Sequence, residues 1–320
     1  MKILKMYRYL IKRTFSALVV TWIVATIVFF MLRAVPGDPL AAMLFDVGDP
    51  QAAQELSQKY GLDQPVYIQY VKWMGHILQG DFGSSIYGSR VPVTQIILEA
   101  LPRTISLALL SFSIAIIIAV PAGIFAAIRK NSALDHSMTM LAFLGLSMPD
   151  FWLAILLIIV FAAHLHWLPA IGYVPISQGV WPWLKHLILP SIAAGTAFSA
   201  IIARMIRSSM LEVIKTDYIQ VARSKGLHKK TITLVHALPN ALIPVVTVMG
   251  IAFALLMATT VVIENVFSIK GIGRVLIQGI LNRDYPVVQG AILVVSVIFI
   301  FTNLLVDLLY TVIDPRIRYE

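Results

Sequence analysis

"FSALVVTWIVATIVFFML", Phe15 to Leu32, runs for 18 residues without a charge. As a helix it would reach about 27 Å, close to the hydrocarbon thickness of a bilayer. The basic stretch ahead of it, "MKILKMYRYLIKR", has the character of a secretory leader. A leader core, however, is shorter and closes on a small-residue cleavage site. Here the apolar run passes into "RAVPGDP" (Arg33–Pro39), so it is expected to be a retained membrane anchor.

The rest of the chain repeats this pattern. With the first, near 12–32, five more apolar segments make six candidate spans: near 103–128, 138–163, 187–208, 239–263 and 287–309. They are continuous apolar runs without strand-like alternation, which excludes a β-barrel reading. Of the 320 residues 59% are hydrophobic and 13% charged, with a mean hydropathy of +0.85. No soluble core hides that much apolar surface, so the bilayer is the solvent. The net charge of +9 is dispersed between spans. That pattern suits loops facing anionic lipid better than nucleic acid. Without a single cysteine, disulfides, thiolate metal sites and cysteine catalysis are excluded.

Orientation follows from the Lys and Arg count. The N-terminal tail carries Lys2, Lys5, Arg8, Lys12 and Arg13 and no acid, whereas the loop from Arg33 to Glu99 holds seven acids against four bases. Crossing alternately, the turn at Arg129 and Lys130, the strip from Arg204 to Lys230 and the tail "DPRIRYE" all fall on the cytoplasmic side. Both termini are therefore expected inside. In the outer loop, Leu56, Tyr60, Ile68, Val71 and Leu78 recur at helical spacing. Short amphipathic helices, punctuated by Gly61, Pro65 and Gly80, are predicted there. They form either a cap on the membrane surface or a contact for something arriving from outside.

Catalytic signatures are absent: the chain contains no G-x-S-x-G, H-E-x-x-H or G-x-x-x-x-G-K-[ST]. His164 and His166 are two apart, point to different faces of a helix and read as interfacial residues beside Trp167. "DVGDP" (Asp46–Pro50) is turn chemistry. Asp150, in "LSMPDFW", sits mid-span, where a carboxylate is costly. It is expected either to cap the half-helix after Pro149 or to line a polar path. Asp307 is expected to pair with a basic loop residue. Pro121 with Gly123, Pro190 with Gly195, and Pro244 with Gly250 put kinks and close helix approaches inside spans.

Between the fourth and fifth spans lies "YIQVARSKGLHKKTITLVHALPN" (Tyr218–Asn240), too polar to cross the membrane. Ile214, Tyr218 and Ala222, spaced by four, predict one apolar stripe on a helix. Gly226 is the expected turn, and "KKTITLVHAL" a second short helix leading to Pro239. A basic amphipathic piece beside a span also binds anionic lipid, which is the plainer reading.

This strip resembles the cytoplasmic-loop motif of ABC-transporter permeases, E-A-A-x-x-x-G followed by nine residues and I-x-L-P. Ala222, Gly226, Leu238 and Pro239 fall in register, while Gln220, Val221 and His236 replace the motif's glutamate, first alanine and isoleucine. Six further stretches in order resemble the dipeptide/oligopeptide/nickel group of bacterial permeases, and specifically its first permease subunit. They are "LRAVPGDP" (Leu32–Pro39), "YGLDQPVYIQY" (Tyr60–Tyr70), "GDFGSS" (Gly80–Ser85), "ENVFSIKGIGRVL" (Glu264–Leu276), "NRDYPVVQG" (Asn282–Gly290) and "DLLYTVIDPRIRY" (Asp307–Tyr319).

The resemblance implies an all-α membrane protein of six transmembrane helices, with a cytoplasmic coupling helix and a partly helical outer loop. It implies an anchor and outer loop over 1–92, a transmembrane domain over 93–310 with its coupling loop near 211–236, and a cytoplasmic tail over 311–320. It implies a binding-protein-dependent importer in the bacterial inner membrane, working by alternating access. The implied partners are a second homologous permease, two cytoplasmic ATPase subunits that bind ATP and Mg, an extracytoplasmic solute-binding protein and a peptide substrate. No cofactor is expected in this chain. Gln220, Ala222, Lys225, Gly226 and Leu227 would meet the ATPase, and Leu238 and Pro239 would pass its motion into the fifth span. Uptake of nickel or a metal chelate, export, and an intramembrane enzyme are the alternatives.

Overall fold

The computed structural model describes residues 2–34, 63–87 and 91–313, with side chains over 11–34, 63–87 and 91–305. Every long apolar run among them is helical, because a helix satisfies its own backbone groups where no water is available. In chain order the helices are α1 (Lys2–Ala34), α2 (Val66–Leu78), α3 (Val93–Ile128), α4 (Ala133–Ser147), α5 (Asp150–Leu157, continued by a π-helical turn Ile158–His164), α6 (Val180–Val213), α7 (Asp217–Ser224), α8 (Lys229–Val266), α9 (Ile272–Leu281) and α10 (Tyr285–Ile313). Five of them are long and apolar enough to cross a membrane, and six spans result if α4 and α5 count as one. Leu56, Tyr60, Gly61, the "DVGDP" turn, the side chain of Asp307 and the tail 314–320 lie outside the described residues.

The third expected span, 138–163, is not a continuous helix: α4 and α5 meet at a bend of 102°. Met148 precedes a proline and is extended, at φ −86° and ψ 127°. Pro149 disfavours helix in the residue before it and offers no N–H of its own, so the chain turns there and restarts. Asp150 is then the first residue of α5, half-buried, and no side-chain hydrogen bond caps that end. The expected capping role is corrected accordingly. A carboxylate in the first turn still complements the helix dipole.

By their contacts the residues form two compact units. Among the described residues, one comprises 2–6, 103–269 and 301–313, and the other 7–34, 63–87, 91–102 and 270–300. In the first, α6 packs against α4, α5 and α8. Leu107, Ala154, Leu187, Ala194, Ile263 and Phe267 form its apolar core. The buried face of α6 is made largely of small residues, among them Ser191, Ala193, Ala194, Gly195, Ser199 and Ala200. Two of the expected close approaches, at Gly195 and Gly123, are present. A methyl on Gly195 would stand 2.6 Å from the Ser111 carbonyl oxygen, and one on Gly123 2.7 Å from that of Ala203. The wholly buried Glu264 accepts a 2.5 Å hydrogen bond from the Thr104 hydroxyl.

In the second unit, Val93, Ile97, Ala100, Ile272, Val287 and Ala291 make the core. Asp284 is buried and accepts from the Ser85 hydroxyl and from the Ile86 N–H at 3.2 Å. The amphipathic α2 is present between Pro65 and Gly80 as expected, but with a different inner face. Tyr70 and Trp73 pack on Phe29, while Val71 and Leu78 point outward, 67% and 81% exposed. Rings offer α1 more contact area than Val71 or Leu78 could, which sets the rotation of the helix.

Candidate functional site

α7 begins after Thr216, whose extended backbone (φ −69°, ψ 152°) ends the run from α6. Ile214 therefore lies outside α7, and the apolar stripe through Ile214, Tyr218 and Ala222 does not form. The face that turns inward is Ile219, fully buried, with Ala222 at 8% exposure, three residues apart on one side of the helix. Tyr218 is 46% exposed. Asp217 in the first turn and Arg223 in the last are placed as the helix dipole favours.

The C-terminus of α7 explains the spacing of the motif. Gly226 has φ +76°, and its N–H donates to the Arg223 carbonyl at 2.9 Å. The Leu227 N–H reaches back to the Ala222 carbonyl at 3.4 Å. These two bonds are the Schellman arrangement, in which a left-handed residue closes the helix and satisfies its last carbonyls. Ala at 222 and Gly at 226 are thus the two ends of one capping structure. The expected turn at Gly226 is present, and the space around it is open, with nothing within 4 Å of where a methyl would sit.

The expected second short helix is not separate. Lys229–Thr231 leads through a π-helical turn, Ile232–Ala237, directly into Leu238–Val266, so Pro239 does not end anything. Proline lacks an N–H and its ring crowds the carbonyl four residues back. The wider turn absorbs both, with the Leu238 N–H donating to Thr233, five residues back. α7 packs against this π-helical turn.

The candidate residues therefore divide. Gln220, Lys225, Gly226 and Leu227 are exposed, together with Val221, at 53%. Ala222 is buried beneath them, so its contact with a partner surface is corrected to an inward one. Leu238 is half-buried and Pro239 exposed. Nearby, the Ser209 hydroxyl of α6 donates to the Ala241 carbonyl of α8 at 2.8 Å.

Sequence reasoning missed one constellation at the same end of α6. Arg207 grips Asp135 of α4 with two parallel bonds, Nε to Oδ1 at 2.6 Å and Nη2 to Oδ2 at 2.8 Å. The Asn131 N–H adds a third at 3.0 Å, and Ser132 caps α4 by accepting from the Asp135 N–H. "S-A-L-D" at Ser132–Asp135 is a helix-start signal, but nothing local links Asp135 to an arginine 72 residues on. His164 and His166 spend their Nδ1 atoms on the carbonyls of Ile159 and His164 and are exposed. No group of three metal-ligating residues occurs among the described residues.

Comparison with known proteins fits this geometry. A model of the binding-protein-dependent transport system inner membrane component matches residues 119–319, and a model of the N-terminal part of such components matches residues 6–108. A protein of Brucella abortus (strain 2308), described as a peptide transport system permease, is 44% identical, over 97% of this chain and 99% of its own. The dipeptide transport system permease DppB of Alkalihalophilus pseudofirmus (strain ATCC BAA-2126 / JCM 17055 / OF4) is 41% identical, over 98% and 100%. The inward-facing crystal structure of the MetNI methionine ABC transporter shares the fold, with a TM-score of 0.58 at 19% identity, over 69% of this chain and 97% of that one. With matches over nearly its whole length, this chain belongs to the family of binding-protein-dependent transport system inner membrane components.

Proposed function

We propose that this chain is the permease subunit of an ATP-driven ABC importer that carries di- and oligopeptides across the bacterial cytoplasmic membrane. Relatives at 41–44% identity over nearly full length are described as peptide and dipeptide permeases, which favours peptides over nickel or a metal chelate. The observation that carries the mechanism is the glycine-capped helix α7, which projects Lys225, Gly226 and Leu227 outward while packing on the first turns of α8.

In this reading α7 seats in a cytoplasmic ATPase, and both termini lie on the same side as α7. A second homologous permease completes the pathway, two ATPase subunits hold ATP and Mg, and a solute-binding protein delivers peptide from outside. The chain itself is a transport subunit with no catalytic residue. The transmembrane domain spans 93–310, behind an anchor and outer loop over 1–92 and ahead of a cytoplasmic tail over 311–320. ATP binding draws the paired ATPases together, α7 moves with them, and the bundle passes from inward- to outward-open. That coupling requires the ATPase states to hold the two positions of α7 with different affinity. Asp150, half-buried at the start of α5, is the polar residue proposed to face the pathway.

The test is reconstitution of the chain with its ATPases and binding protein in sealed vesicles. Labelled di- or oligopeptide should accumulate only with ATP and binding protein present. Accumulation of nickel instead, or of neither, refutes the peptide reading.

A further inference from the structure

The mechanism leaves unused a cleft among α3, α4 and α6, at the end of α6 that leads into α7. Its larger chamber, about 490 Å³, is lined by Asp135, His136, Thr139, Met140, Phe143 and Arg207 among others. A smaller chamber of about 130 Å³ shares Thr139, Phe143 and Arg207, and adds Arg204 and the small residues Ala122 and Gly123. The cleft is therefore basic at one end and apolar along its length. Met140, Phe143 and Leu144 are 65%, 56% and 48% exposed.

The polar end is built to receive an anion. All the charge of Asp135 is committed inward, to two Arg207 nitrogens and the Asn131 N–H. Arg207 spends Nε and Nη2 on that carboxylate and makes no bond from Nη1 among the described residues. Arg204, three residues earlier, lies on the same face of α6, exposed, with no partner among the described residues. Two guanidinium groups at the mouth of an apolar cleft complement a phosphate with a hydrocarbon tail, since arginine takes phosphate oxygens through its fork of N–H groups. Basic pockets between membrane helices on the cytoplasmic side are where anionic headgroups settle.

We propose that this cleft binds an anionic phospholipid of the inner leaflet, its phosphate on Arg204 and the free edge of Arg207 and an acyl chain along Met140, Phe143 and Leu144. The inference rests on the orientation proposed above. Its occupant is a lipid, not free phosphate, because the apolar walls would gain nothing from an ion alone.

The test uses the intact transporter in phosphatidylcholine vesicles containing a trace of phosphatidylglycerol with a photoactivatable acyl chain. Cross-linked residues are mapped by peptide mass spectrometry, with a phosphatidylcholine of the same chain as control. Labelling at 140–144 should favour phosphatidylglycerol, and Arg204→Gln should lower that preference about fivefold, the worth of one basic residue near an anionic headgroup. Excess inorganic phosphate should leave the labelling unchanged. Equal labelling by the two lipids, no labelling because another subunit covers the cleft, competition by phosphate, or an unchanged preference in Arg204→Gln would each overturn the proposal. Orientation is read separately: the chain has no cysteine, so Lys130→Cys, at the exposed turn between α3 and α4, gives it a single thiol. A thiol reached only from outside overturns the orientation, whatever the lipid does.

Discussion

Replacing Gly226 isolates one variable, because beyond its immediate chain neighbours no atom lies within 4 Å of a methyl placed there. Its backbone, at φ +76°, is the whole of the perturbation. An L-residue with a side chain in that region costs about 1–2 kcal/mol, which shifts the balance between the closed turn and an open one by about 5–30-fold. Asparagine tolerates the left-handed region better than alanine, and valine, branched at Cβ, tolerates it worst. Proline, held near φ −65°, cannot adopt the turn at all. The order expected for peptide-stimulated ATP hydrolysis and uptake in reconstituted vesicles is therefore Gly, Asn, Ala, Val and Pro, from full to none. Assembly of the complex, read by co-purification, should survive the conservative members, since Ile219 and Ala222 remain buried. Limited proteolysis between Lys225 and Lys230 should rise in the same order. If Gly226→Val couples as well as the parent, the left-handed cap is not what the motif's glycine supplies.

Two further substitutions report on the helix bundle. Asp135→Ala leaves Arg207 and the Asn131 N–H facing a buried gap, so the thermal midpoint of the purified transporter should fall by about 5–10 °C; an unchanged midpoint would refute a structural role for the pair. Gly195→Ala would press a methyl to 2.6 Å from the Ser111 carbonyl and should destabilise by about 1–3 kcal/mol, whereas Gly75→Ala in α2, with nothing within 4 Å, should be neutral or gain about 0.5–1 kcal/mol. Chemical denaturation of both variants checks the sign as well as the size.

Much of the membrane architecture was legible because it depends on local composition alone. Eighteen uncharged residues at Phe15–Leu32 have one stable form in a bilayer, and α1 has it. The turn at Gly226 was legible for the same reason, since one residue type dominates the left-handed region. What escaped was decided at a distance. Val71 and Leu78 looked like an inner face until Phe29, some forty residues earlier in the chain, drew Tyr70 and Trp73 inward instead. The pairing of Asp135 with Arg207 has no local signature. The bend between α4 and α5 was half legible: Pro149 announced a break, but not the 102° between its halves. At the start of α8 the error was of another kind. A separate short helix leading to Pro239 was expected, and a π-helical turn instead joins it to the fifth span without a break.

That turn bears on how motion could pass from α7 into the bundle. Had "KKTITLVHAL" been a separate helix hinged at Pro239, α7 could swing without moving the fifth span, and the hinge would dissipate the displacement. Instead Lys229–Val266 is continuous, and Ile232 and Ala237, at 5% and 0% exposure, anchor its π-helical turn in the same packed region as Ile219 and Ala222. Close-packed side chains transmit displacement because they cannot be compressed. The Ser209 bond to the Ala241 carbonyl then ties the first turns of α8 to α6. In the coupling proposed above, a push on α7 would reach two membrane helices at once. Ala222 and Gly226 keep the motif's residues, and both serve the inner structure. Gln220 and Val221 depart from it and are exposed, whereas His236 departs and is half-buried and the kept Pro239 is exposed. Within α7 and its cap, then, the two kept residues are those that build the capped helix.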